Sequence, residues 1–288
     1  MKSDKLEVSF KDLVASQWGM ITTAQAGRAG ISRSTLSRMV GNGKLERVFR
    51  GVYRSTNVPV DSKEGLYAAW LALSPSRTGD ERIFSESYDS VVSLETAAWL
   101  HGLGDFVPEP YRFSITDRKQ VNSNEVRLKI KKYPKESLTI CAGLPTTTVE
   151  QTVADLVEDH TDFSLIQDMF LNAPMEVIQN LDFDYMAKLL SPLAKRNGFK
   201  TNDGQALCLE ILHPLQDKWA KVITDVVDRS QQRVASLIQE ELLKNASMIG
   251  ESLFSPHLLK NISTLSTDKI FGKTSSKDGH LPETNKDK

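Results

Sequence analysis

Cysteine is nearly missing from this chain, with two residues, Cys141 and Cys208, among 288. They lie far apart in apolar surroundings, TICAG and ALCLE, which read as core positions. That pattern excludes a disulfide framework and a cysteine metal knuckle. Long hydrophobic runs are missing too: nothing approaches the ~18 consecutive apolar residues of a membrane helix. The opening MKSDKLEVSF lacks the apolar core of a secretory signal, so a cytoplasmic protein is the expectation. Histidine is sparse. His101, His160, His213, His257 and His280 never pair with one another or with cysteine at metal-ligand spacing. His101, in LHGLG, and His160, after two acids, read as helix-end residues, where a cation is favoured. The sequence calls for no metal and no cofactor.

A further absence is local. From Glu136 to Ala187 there is no Lys or Arg, yet that span carries ten Asp and Glu. The N-terminus is biased the other way: residues 1–58 hold ten Lys and Arg against four acids. A net charge of −1 therefore conceals a basic head on an acidic body, and such a body restricts where a polyanion docks. The acidic span reads as solvated helix surface, with a docking face for a basic partner or a DNA mimic as the alternative.

What remains is ordinary globular composition, 40% hydrophobic and 25% charged, at a length suited to about two domains. Phe10, Leu13, Val14 and Trp18 are spaced for one apolar helix face. Thr22 and Thr23 are helix N-cap candidates, Ser32 caps a further helix, and Asn42 with Gly43 ends it. Leu45 to Arg54 reads as a tight hairpin with Gly51 near its turn. Ala26 and Gly30, four apart, suit the close crossing and the turn of a helix-turn-helix. The head is thus expected to be a winged helix-turn-helix over residues 1–58.

Such a module places one helix in the DNA major groove. Ile31, Leu36, Met39 and Val40 anchor that helix, which leaves Arg33, Ser34, Thr35, Ser37 and Arg38 on its open face. Arginine reads guanine bidentately or pairs with phosphate, and short hydroxyls donate to either. Lys44 and the hairpin residues Arg47, Arg50 and Arg54 are expected on flanking backbone or in the minor groove. The reading against it is a helical bundle with a solvated basic face. The ordered succession of crossing residue, turn glycine, basic helix and basic hairpin favours DNA.

Asn57–Asp61 reads as a linker to a mixed α+β domain over 62–200. Helices are expected at Lys63–Leu73, Val91–His101, Val149–Val157, Ser164–Leu171 and Asp182–Asn197. Ser74–Asp80 reads as a loop. Strands are expected at Tyr111–Thr116, Val126–Tyr133 and Leu138–Ala142. Residues 201–262 read as a helical C-terminal region, with Leu207–Lys244 either one long helix or two parted near Pro214, and 263–288 as a disordered tail.

At this point the chain resembles a known family. GKLERVFRGVYR after a helix-turn-helix is similar to the N-terminal domain of AbiEi antitoxins, of the abortive-infection type. Downstream, SLETAAWLHGLGDFVPEPYRFSIT resembles the family's apolar helix, Leu-His-Gly-Leu turn and strand. LPTTTVEQTVADLVED resembles its Thr-rich strand-to-helix step, with Asp155 in the helix. The resemblance covers residues 8–200. It implies an antitoxin that binds inverted repeats in its own promoter, represses that operon and counteracts a nucleotidyltransferase-like AbiEii toxin of a phage-defence system. The acidic body departs from the more basic antitoxin domains of the family. That departure leaves room for a stand-alone winged-helix regulator without a toxin.

Two enzymatic readings carry less. Gly272–Thr274, GKT, lacks the phosphate-loop glycine at position 267, which is Thr267. A metal-dependent nuclease would need clustered carboxylates beside a strand lysine. Asp117, Glu125 and Lys129 lie nearby, but Glu125 and Lys129 are four apart rather than two. A binding protein, not an enzyme, is the expectation.

Overall fold

The computed structural model describes residues 10, 12–119, 123–215, 232 and 235–240. The chain divides into two compact units, Met1–Leu215 and Gln216–Lys288, and the first carries the architecture described below. Gly272–Thr274 and the tail 263–288 lie outside the described residues, as does most of the C-terminal region.

The head begins with a helical turn over 12–15 and a short strand β1 (Met20–Thr22). Two helices follow, α1 (Thr23–Arg28) and α2 (Arg33–Gly41), and then the hairpin β2 (Leu45–Phe49) and β3 (Val52–Ser55). The strands form one antiparallel sheet in the order β1-β3-β2. Local chemistry sets each boundary. Thr22 and Gln25 make a reciprocal capping box at the start of α1, and the Ser32 hydroxyl accepts from the Thr35 N–H at the start of α2. Gly30, at φ 79°, supplies the left-handed residue between the helices. A small apolar core of Val14, Ile21, Ala26, Leu36 and Leu45 holds the helices to the sheet.

The body is mixed α+β. Its elements are α3 (Glu64–Leu73), α4 (Gly79–Ile83), β4 (Ser90–Val92), α5 (Leu94–Leu100), β5 (Tyr111–Ile115), β6 (Val126–Ile130), β7 (Leu138–Cys141) and β8 (Leu144–Thr147). After them come α6 (Val149–Glu158), α7 (Phe163–Asp168), α8 (Met175–Gln179) and α9 (Phe183–Leu190). Strand order is β6-β5-β4-β8-β7, with β5/β6 and β4/β8 parallel and the other pairs antiparallel. Several expectations change. The helix expected from Val91 instead opens with β4 and becomes helical only at Leu94. The loop expected at Ser74–Asp80 runs into α4, whose capping box is Thr78 with Glu81. The helix expected to reach Asn197 ends at Leu190 and continues as 3-10 turns.

Residues 204–215 are helical and include Pro214, and the chain that follows lies outside the described residues. Proline removes the N–H that would bond the carbonyl four residues earlier. That carbonyl, of Glu210, accepts instead from Gln167 Nε2 at 3.0 Å.

Besides its own small core, the head contributes to the core of the body. Met20, Phe49 and Val52 of the head pack with Leu66, Trp70 and Leu73 of α3, and with Val92, Phe113, Val126 and Leu144 of the larger sheet. The segment expected as a linker therefore joins a head with a small core of its own to a body whose main core the head also enters. Trp18 stacks on Tyr67 with ring centroids 4.3 Å apart and meets Trp70 edge-on at 6.0 Å.

Polar groups close the same junction. Gln17 Nε2 donates to Gln25 Oε1 at 2.7 Å, and Gln25 Nε2 donates to the Arg77 carbonyl at 2.7 Å. The Gly79 N–H donates to Gln17 Oε1 at 3.1 Å, and the Thr22 hydroxyl donates to the Pro75 carbonyl. Arg28 pairs with Glu81 at 3.0 Å.

Candidate nucleic-acid interface

Helix α2 buries Leu36 and partly buries Met39 and Val40 against the head core, and Ile31, in the turn before it, packs there too. Helical periodicity then turns Arg33, Ser34, Ser37 and Arg38 outward, and all four are exposed. Thr35 is half-buried, its hydroxyl 3.0 Å from that of Ser32. The Ser34 hydroxyl sits 2.8 Å from the same Ser32 oxygen, so the first turn of α2 is a hydroxyl cluster fixed by its cap. Lys44, which leads into the hairpin, and Arg50, at its tip beside Gly51, are exposed. Arg47 is exposed as well, and its Nε donates to the Phe49 carbonyl at 3.4 Å. No ion-pair partner for Arg33, Arg38, Lys44, Arg47 or Arg50 exists among the described residues.

Arg54 corrects the expectation. It is 6% exposed and points inward from β3. Its guanidinium pairs with Glu46 across the hairpin at 2.7 Å and with Glu64 of α3 at 2.8 Å. The Glu64 contact is an ion pair outside hydrogen-bond geometry. A further N–H donates to the Val58 carbonyl at 2.6 Å. Arg54 therefore joins the hairpin to the body and is not available to a ligand. Strand alternation carried this signal: Arg54 shares parity with the core residue Val52.

The acidic span resolves largely into structure. Along β6 and beyond it, Lys129, Lys131 and Tyr133 alternate onto the face opposite Leu128, which packs in the main core. Helix α6 covers that other face with acids. Lys131 Nζ donates to Asp155 at 2.8 Å and also to Glu158, while Lys129 and Arg112 converge on Asp159 at 3.1 and 2.6 Å. The basic complement of the acidic helix was therefore present in the sequence, on a strand outside the acidic span. Asp162 and Asp182 are N-caps, and Glu150 accepts from the Asp182 N–H.

The remaining candidates take structural positions. His101 caps the end of α5, and its Nε2 lies 2.8 Å from the Thr147 carbonyl. Burial lowers its pKa, outweighing the Thr147 carbonyl and Glu150, so the expected cationic cap is instead a neutral side-chain tie. Lys129 is engaged by Asp159, Asp117 accepts from Thr116 at 3.0 Å, and Glu125 lies by Ser123. No group of three His, Cys, Asp or Glu that could hold a metal occurs among the described residues. Likewise, no helix among them is long and apolar enough to cross a membrane.

The head thus sets an exposed basic helix beside a basic hairpin, on a frame of one helical turn, two helices and three strands. Residues 11–56 match the AbiEi antitoxin family of transcriptional regulators. The AbiEi match begins at the first helical turn and stops just after the hairpin, so it coincides with the winged head. The resemblances in the body lie beyond the matched residues. Among solved structures the chain is similar to the RV2827C protein from Mycobacterium tuberculosis, at 15% identity over 69% of this chain and 80% of that one, with a TM-score of 0.38. No curated protein matches the chain.

Proposed function

We propose that the chain is a DNA-binding transcriptional repressor that acts at its own promoter as the antitoxin of a toxin–antitoxin operon. The observation that carries the DNA half is the cluster Arg33, Ser34, Ser37, Arg38, Lys44, Arg47 and Arg50, exposed on one small head. In this reading α2 enters the major groove, Arg33 and Arg38 contact bases or phosphates, and the hairpin contacts flanking backbone. Thr35 helps order the first turn. Two copies on inverted repeats supply the symmetry that such sites require. The AbiEi match supports the antitoxin half, in which the chain counteracts a nucleotidyltransferase-like toxin encoded beside it.

A mobility-shift assay on DNA from upstream of the gene tests the first half. Wild-type protein retards it, and Arg33→Ala or Arg38→Ala weakens binding by ~1–3 kcal/mol where the side chain reads a base. Undiminished retardation by both variants overturns the groove assignment. Co-expression with the neighbouring gene tests the second half. Growth rescue is expected, and failure to rescue a toxic neighbour leaves a stand-alone winged-helix regulator.

A further inference from the structure

The body contains a cleft that the DNA reading does not use. It encloses about 720 Å³ and lies beyond the carboxyl ends of the parallel strands β5 and β6, where ligands gather in open sheets of α/β proteins. Its walls are the segment 85–88, residues Thr116 and Asp117, and the segment 131–135.

The floor is pre-ordered by a buried carboxylate. Asp155, 1% exposed, accepts from Lys131 Nζ at 2.8 Å, the Tyr133 hydroxyl at 2.6 Å and Gln151 Nε2 at 2.8 Å. The Ser114 hydroxyl sits 2.9 Å from both the Tyr133 and Ser93 hydroxyls. Lys131, Tyr133 and Ser114 all face the cleft, so its base is a fixed array of polar groups rather than a loose surface.

Above that floor, Lys132 and Lys135 line the wall and have no ion-pair partner among the described residues. Two ammonium groups three residues apart, with Ser85 and Ser87 lining the same cleft, suit a phosphate. Glu86 and Asp117 line the same cleft and suit ligand hydroxyls, which donate where a second phosphate would be repelled. Tyr88 and Tyr133 add flat apolar surface.

We propose that this cleft binds a small phosphomonoester with a hydroxylated body, of about mononucleotide size. The site is independent of the DNA-binding head.

Isothermal titration of the full chain with adenosine 5′-monophosphate, glucose 6-phosphate and inorganic phosphate tests it. At least one phosphomonoester is expected to bind roughly tenfold more tightly than inorganic phosphate, and K132A/K135A to weaken it by at least about tenfold. Tighter binding of the nucleotide assigns stacking on the tyrosines, and tighter binding of the sugar phosphate assigns the hydroxyl contacts. Both residues are exposed, so the double variant is expected to keep the wild-type melting temperature and its retardation of promoter DNA. No binding up to about 5 mM, or binding undiminished in K132A/K135A, overturns the proposal without touching the DNA reading.

Discussion

Arg50 and Arg54 are four residues apart in one basic hairpin, and their surroundings give them opposite tasks. Arg50 sits exposed at the tip, whereas Arg54 lies buried between Glu46 and Glu64. Removing Arg54 leaves the Glu64 carboxylate, 18% exposed, without its cation. Arg54→Ala is therefore expected to cost about 2–4 kcal/mol of stability in chemical denaturation, whereas Arg50→Ala stays within ~0.5 kcal/mol. Equal effects would contradict the assignment. A charge count groups both residues in the wing; the parity of β3 separates them.

His101 gives a pH signature at the same scale. Its folded pKa is depressed by burial, so the unfolded chain binds the proton more readily. Its contribution to stability is complete above the ordinary histidine value of ~6.5 and declines as pH falls from there toward the depressed folded value. His101→Gln is expected to flatten the fall in melting temperature between about pH 7 and pH 5. An unchanged profile would count against a buried neutral imidazole.

At the scale of elements, the head was the most legible part. Its Thr22 and Ser32 caps, its left-handed Gly30 and the anchoring side of α2 all follow from local chemistry. β4 was hidden because Ser90–Val92 is three residues long, buried throughout, and runs directly into apolar α5. A short buried run has no periodicity to read. Long-range contact also overrides propensity at Gly65 in α3. Alanine there would gain about 1 kcal/mol of helix propensity, but its Cβ would strike the Tyr111 hydroxyl. Gly65→Ala is expected to destabilise by up to about 2 kcal/mol net in urea unfolding, since the hydroxyl of buried Tyr111, which donates to Glu109, must shift. A stabilised variant would show that this contact yields freely.

At the scale of the whole described unit, the head and body behave as one structure. The Trp18–Tyr67 stack, the Gln17–Gln25 polar seam and the shared core tie α1 and the small sheet to α3 and the 75–79 segment. The sequence suggested a linker because Pro59 and neighbouring polar residues mark one, and glutamines carry no pattern that announces a buried seam. Tryptophan fluorescence and far-UV circular dichroism are expected to melt together, with no separate transition for the head. A distinct head transition would contradict the shared core. The acidic body is likewise a long-range effect. Three of its acids, Asp155, Glu158 and Asp159, answer cations on β5 and just beyond or within β6, a pairing that only strand topology reveals.

DNA contact by the exposed basic surface of the head is the central claim, and its electrostatics give the most direct test. The decisive measurement is the salt dependence of promoter binding for wild type and for Arg33→Ala/Arg38→Ala/Arg50→Ala. Each lost phosphate contact lowers the slope of log K against log salt by ~0.9, so the triple variant is predicted to bind more weakly with a slope shallower by up to about 2.7. Unchanged affinity and unchanged slope would contradict the account.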